Sequence, residues 1–204
     1  MKTIAVLDYQ INNLSSIFHA IKNLNYNPTL LSQYDNKNYD VLVIPGTGSF
    51  DYGIRYLREK GLEKLIFDHV KKNKLVIAIC LGFQLLFDKS YENGENKGLG
   101  IFEGEVIPFI NDYEKPKIGW SKLSLKENIY SSFDVSDSLK DSFFYHVHSY
   151  HVTTNNNDIV LSYSYNKEFK YISSICKNNI YGFQFHPEKS GINGINLLNS
   201  ILKK

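Results

Sequence analysis

A chain of 204 residues with 23 Lys and Arg against 21 Asp and Glu carries a formal charge of +2. So close a balance leaves no electrostatic footprint for nucleic acid, and no apolar stretch approaches the length that spans a membrane. A single domain over residues 1–204 can bury a sizeable core without cross-links, and two cysteines in unrelated contexts suit a reducing, cytoplasmic compartment rather than a disulfide framework.

The N-terminal run reaches Asp8 too soon for a secretory signal and reads as a first buried strand, Ile4–Leu7. Further β-rich runs lie at Pro28–Leu31, Val41–Ile44 and Leu75–Ile79. Between them the pattern turns helical over Leu14–Leu24 and on either side of Gly61. Such alternation predicts parallel βαβ units, hence an α/β fold with an open, mostly parallel central sheet flanked by helices. The second half is strand-dominated, with Gly104–Ile110, Phe143–Val152, Ile159–Tyr165, Tyr171–Cys176 and Ile180–Phe185, closed by a helix near Ile195–Leu202. No linker or repeat divides the halves.

The richest stretch is Leu75–Leu86. An apolar strand stops at Cys80, Gly82 follows two residues later, and an apolar run of helical character begins. That is the strand–turn–helix order of a nucleophile elbow, with a thiol in place of the usual hydroxyl. The turn demands small neighbours, here Ala78 and Gly82, and a helix dipole at its end favours a thiolate. Read in isolation, the same stretch also fits a buried core cysteine.

A hundred residues on, the strand Ile180–Phe185 runs into His186-Pro187-Glu188. Pro187 biases His186 toward extended geometry, and residues two apart on an extended segment share a side. Glu188 is thereby expected beside the His186 imidazole. A thiol, a base and an orienting carboxylate make a nucleophilic triad, although a solvated turn is the bland alternative for this segment alone.

Ile44-Pro45-Gly46-Thr47-Gly48 follows a strand but lacks the Lys and Ser/Thr of a Walker loop and the third glycine of a dinucleotide fingerprint. A flexible backbone near the nucleophile suits an oxyanion hole instead, with N–H groups from Gly48 and Leu81. Cys80, Gly46–Gly48 and His186 all fall at carboxyl ends of strands, where open α/β sheets hold ligands, so one site is expected.

Together these segments resemble the class I glutamine amidotransferases. Within that group the chain is similar to the family of glutaminase subunits of imidazole glycerol phosphate synthase, which serve histidine biosynthesis. The likeness runs from Val6-Leu7-Asp8-Tyr9 through Pro45–Phe50, Cys80–Leu86, Pro116…Gly119-Trp120 and Val147-His148-Ser149-Tyr150 to His186-Pro187-Glu188-Lys189-Ser190.

The resemblance implies hydrolysis of L-glutamine to glutamate and ammonia by Cys80, His186 and Glu188, without cofactor or metal. It implies substrate contacts from Gln84, Glu92, Gly48, Ser149 and Tyr150, and an oxyanion loop able to rearrange before it donates. It implies a heterodimer with a cyclase subunit of (β/α)8-barrel type that receives the ammonia. Asn13, Trp120, Tyr145 and Lys189 are implied at that interface. Taken singly, Glu92 also reads as a solvated loop charge and Trp120 as core.

The departures are specific. Asp8-Tyr9-Gln10-Ile11-Asn12-Asn13 lacks two glycines of the family pattern, Lys117 and Ile118 stand in the segment before Gly119-Trp120, and Ala78 replaces a glycine. Two of these fall where the family meets its synthase, so a paralogue feeding a synthase that amidates a surface-glycan sugar is the alternative. A γ-glutamyl hydrolase or cysteine peptidase acting alone is the reading from another class. His146 and His148 share a parity that His151 lacks, with no Asp or Cys at ligand spacing, which argues against a metal. His19 and His69 read as surface or partly buried, and Cys176 as core.

Overall fold

The structure is a computed structural model that describes residues 2–10, 14–110, 115–126 and 139–204. Its parallel half follows the sequence pattern closely: β1 (Ile4–Leu7), α1 (Leu14–Asn23), β2 (Pro28–Leu31), β3 (Val41–Ile44), α2 (Phe50–Glu59), α3 (Leu62–Lys71) and β4 (Leu75–Ile79). Three of these strands, β1, β3 and β4, are buried at every position. Strands covered on both faces need no polar alternation, which is why they read as unbroken apolar runs.

The parity of those runs sorts the core into two layers. Ala5, Leu7, Leu42, Ile44, Val76 and Ala78 pack on one face against Leu57 and Ile66 of α2 and α3. Ile4, Val6, Val41, Val43, Ile77 and Ile79 pack on the other against Ile17 and Ile21 of α1 and Leu197 and Ile201 of the last helix.

After β4 come α4 (Leu81–Leu85), β5 (Phe87–Ser90), β6 (Asn96–Lys97), β7 (Phe102–Pro108), β8 (Lys117–Lys122) and β9 (Ser124–Leu125). They are followed by β10 (Phe143–His148), β11 (Tyr150–Thr153), β12 (Val160–Asn166), β13 (Phe169–Lys177), β14 (Ile180–Phe183) and α5 (Gly191–Leu202). The central sheet runs β2-β1-β3-β4-β14-β13-β12-β9. It is parallel from β2 to β14 and antiparallel beyond. A second sheet, β11-β7-β5-β6, and a ribbon, β10-β8, complete the architecture.

Several expectations shift. The helical run after Cys80 ends at Leu85, and the chain turns at once into β5, which pairs with β7. The expected strand Phe143–Val152 is two strands broken at Ser149, one pairing with β8 and the other with β7. The short strands β5, β6, β8 and β9 carry no sequence signal, because their partners rather than their own alternation define them. No helix among the described residues is long and apolar enough to cross a membrane.

What positions the site is the adjacency of β3, β4 and β14 in the sheet. Their carboxyl ends stand side by side, so the loop after Ile44, the turn at Cys80 and the segment after Phe183 meet at one edge of the domain.

Candidate active site

Cys80 leaves β4 with φ 51° and ψ −105°, a region that a side chain occupies only under constraint, at a cost of about 1–3 kcal/mol. The constraint is main-chain bonding on both sides. Cys80 N–H donates to Phe183 O at 2.7 Å, and Cys80 O accepts from Gln84 N–H at 3.1 Å. Gly82 is required by a close approach to β3, since a Cβ there would lie 1.9 Å from Ile44 O. Ala78 sits inside β4 without positive φ, so the missing glycine costs nothing there. With five residues, α4 supplies little dipole, and the charge partner of the sulfur has to come from elsewhere.

That partner is His186. Its Nδ1–H donates to Glu188 Oε1 at 2.7 Å, both side chains nearly fully buried. Glu188 reaches it from a short 3-10 turn, Pro187–Lys189, rather than from the extended run that residue parity suggested. With Nδ1 committed to Glu188, Nε2 is the ring nitrogen left to interact with Cys80. Burial works against a charged imidazole, but Cys80 and Glu188, by charge and hydrogen bonding, outweigh it and lift the His186 pKa to about 10. A thiol and imidazole so arranged can form a thiolate–imidazolium pair and attack a carbonyl carbon.

Cys80 lines a cleft of about 240 Å³ together with Gly48, Leu81, Gln84, Glu92, Ser149 and Tyr150, among others. Seven residues from four separate segments of the sequence thus meet in one concavity, while His186 is buried and absent from the lining. Leu81 N–H is not vacant: it donates to Gly46 O at 3.4 Å. The loop therefore turns a carbonyl, an acceptor, toward the place where an oxyanion would need donors. Gly48, at φ 117°, is the residue that lets this loop change course.

Glu92 Oε2 accepts the N–H of Phe50 at 2.8 Å, capping the start of α2 in place of the Ser49 side chain. Burial raises the Glu92 carboxyl above its ordinary range, with that N–H acting in the opposite direction. The solvated-loop alternative for Glu92 is therefore wrong.

Trp120 is 54 % exposed, which removes the core alternative. It stands opposite Tyr145 in the β8–β10 ribbon, ring centroids 6.2 Å apart and edge to face, with Ile118 and Phe143 exposed on the same ribbon. Lys189 ends the turn after Glu188, partly exposed. Asn13 lies outside the described residues.

The histidines correct the parity argument. The break at Ser149 resets the alternation, so His146, His148 and His151 are all buried. His148 and His151 both pack on Phe109, while His146 Nδ1 meets His148 Nε2 at 3.3 Å and Tyr171 Oη at 3.1 Å. Burial depresses all three, keeping them neutral. Among the described residues no group of three or more His, Cys, Asp or Glu could hold a metal ion. His69, expected at or near the surface, is buried with Nδ1 on Leu65 O at 3.2 Å. Cys176 is buried in β13, which pushes its thiol up to about 11.

One residue at the sulfur escaped the sequence reading. Gln184 is fully buried, with Nε2 3.8 Å from Cys80 Sγ. Its signal was available: it precedes His186 by two positions and so shares its side of the chain.

Comparison with known proteins follows the same lines. The family model described as "Glutamine amidotransferase class-I" matches residues 5–202. Imidazole glycerol phosphate synthase subunit HisH of Aquifex aeolicus is 39% identical over 208 residues, spanning 100% of this chain and 97% of that protein. The HisH subunit of Lactococcus lactis subsp. lactis is 35% identical over 205 residues, with full coverage of both. Among solved structures, PurLQS from Thermotoga maritima superposes with a TM-score of 0.76 at 21% identity, covering 100% of this chain and 99% of the other. A glutamine amidotransferase from Thermotoga maritima gives 0.67 at 15%, covering 100% and 97%. At those identities the structures speak for the fold.

Proposed function

The chain belongs to the class-I glutamine amidotransferase family, among the HisH subunits of imidazole glycerol phosphate synthase, and from that premise we propose that it hydrolyses L-glutamine and passes the ammonia to a cyclase subunit. The observation that carries the reading is the constrained Cys80 in the lining of a cleft, interacting with an imidazole already bonded to a carboxylate.

In this reading the Cys80 thiolate attacks the side-chain amide carbon of glutamine, and the tetrahedral oxyanion takes the N–H of Leu81 once the Gly46 carbonyl has turned aside. A donor so placed contributes about 3 kcal/mol to the barrier reduction. His186, held by Glu188, gives its proton to the departing nitrogen and ammonia leaves. It then takes a proton from water, which attacks the γ-glutamyl thioester and releases glutamate, restoring the thiolate and imidazolium. Gln84, Glu92, Gly48, Ser149 and Tyr150 hold the substrate, with the Glu92 carboxylate facing its α-ammonium.

Ammonia released into water is protonated and loses its nucleophilicity, so a delivery route is needed. The partner is of (β/α)8-barrel type, the complex is a heterodimer in the cytoplasm, and the contact surface includes Trp120, Tyr145 and Lys189. The exposed aromatic ribbon supports this placement, since such rings are costly to leave in water without a partner. The relatives named HisH, at 34–39% identity, favour this pathway over glycan amidation.

Glutamate release measured with and without the barrel subunit tests the reading, with Cys80→Ala as control. Release that needs no partner would favour the stand-alone hydrolase, and full activity in Cys80→Ala would remove the nucleophile assignment.

A further inference from the structure

Gln84, Gln184 and Cys80 form a hydrogen-bonded file whose orientation is set at its far end. The Tyr150 carbonyl can only accept, so Gln84 turns its NH2 group toward it, at 3.1 Å. The same NH2 group donates to Gln184 Oε1, also at 3.1 Å. With its oxygen engaged, Gln184 has its own NH2 group left for Cys80 Sγ, 3.8 Å away. Reversing both amides would press the Gln84 oxygen against the Tyr150 oxygen, and reversing either alone would set like groups together. The backbone holds the file in place, for Gln184 N–H donates to Ser173 O at 2.9 Å and the side chain is fully buried.

We propose that Gln184 is a further catalytic residue, whose carboxamide N–H donates to the Cys80 sulfur and stabilises its anionic form. This rests on the reading of Cys80 as the nucleophile. Beside His186, the sulfur has two further neighbours that differ in kind. The S–H group faces Val147 O at 3.8 Å, an acceptor that serves the thiol and becomes unfavourable once the proton has gone. The Gln184 N–H serves the charged form, and a donor to an ion is stronger than one to a neutral acceptor, the more so in a buried setting. The sulfur therefore exchanges one partner for the other on ionising, with no movement of either. Charge returns to the sulfur when the thioester is cleaved and the tetrahedral intermediate expels it, so the same N–H acts at both ends of the cycle. No bond within Gln184 forms or breaks.

Alkylation of Cys80 by iodoacetamide tests this in the full chain, followed against pH on the Cys80 peptide by mass spectrometry with buried Cys176 as internal control. Gln184→Met keeps the length and removes the donor, and Gln184→Glu sets a carboxylate against the sulfur in nearly the same volume. The plateau rate at high pH reports access to the sulfur, whereas the midpoint reports what stabilises its charge. The expected result is a midpoint about one pH unit higher in Gln184→Met, a tenfold loss of reactivity at a given lower pH, and a larger rise in Gln184→Glu. Midpoints that coincide with the wild type in both variants overturn the proposal, even where the plateaus differ. Failure of the underlying reading would look different, as glutamate release that survives in Cys80→Ala.

Discussion

Gly82 rests so closely on Ile44 that a Cβ atom on it would stand 1.9 Å from the Ile44 carbonyl oxygen. The contact ties the first turn after Cys80 to the end of the neighbouring strand, backbone against backbone, with no flexible side chain able to yield.

Gly82→Ala should therefore be costly both to the fold and to the site. Overpacking against main chain is expected to lower stability by about 3 kcal/mol or more, measured by denaturant unfolding. A variant within about 0.5 kcal/mol of wild type, the range of ordinary surface changes, would mean that β3 can move aside.

Glu188→Gln keeps the shape of the side chain and removes its charge. It takes away one of the two groups that hold His186 protonated and leaves the imidazole tautomer poorly defined. Glutaminase turnover is expected to drop about 10²-fold or more, with KM for glutamine little changed, because Glu188 is absent from the cleft lining. A loss confined to KM would contradict the assignment.

The raised His186 pKa has a signature in stability. A group whose folded value, about 10, exceeds its ordinary 6.5 contributes stability that is complete below the lower figure and fades as pH climbs through the higher one. The difference in urea midpoint between wild type and His186→Gln should shrink steadily from pH 6.5 to pH 10. In a Cys80→Ala background the decline should be smaller in total and complete at lower pH, since the sulfur contributes to the rise. A difference that grew with pH would rule this account out.

Trp120→Ala probes the proposed contact with the cyclase subunit. The ring is more exposed than buried in this chain, so thermal stability should hardly move. Affinity for the partner, read by titration calorimetry, should fall by about 2–4 kcal/mol if the ring is an interface anchor. Unchanged affinity would place the docking surface elsewhere.

How much of this could be read from residues alone varies along the chain. In the parallel half, β1, β3 and β4, buried on both faces, betray themselves as apolar runs, and these strands and the half-exposed β2 begin and end where the pattern predicts. In the second half the pattern misleads. Phe143 to Val152 reads as one strand because nothing about Ser149 announces a break, yet the two pieces pair with different sheets. That break also moved His151 onto the side that period-two counting denied it.

Local chemistry alone determined that a cysteine follows a buried strand and that a histidine stands two residues before a glutamate, because those features depend on neighbours in the chain. Convergence was decided only by the tertiary structure, in which β3, β4 and β14 become adjacent and bring residues a hundred positions apart to one edge. The same holds for Leu81 N–H, which a loop carbonyl occupies, and for Gln184, whose amide is oriented by Gln84, itself fixed by the Tyr150 carbonyl. Hydrogen bonds between distant segments follow from packing, and no local pattern encodes them.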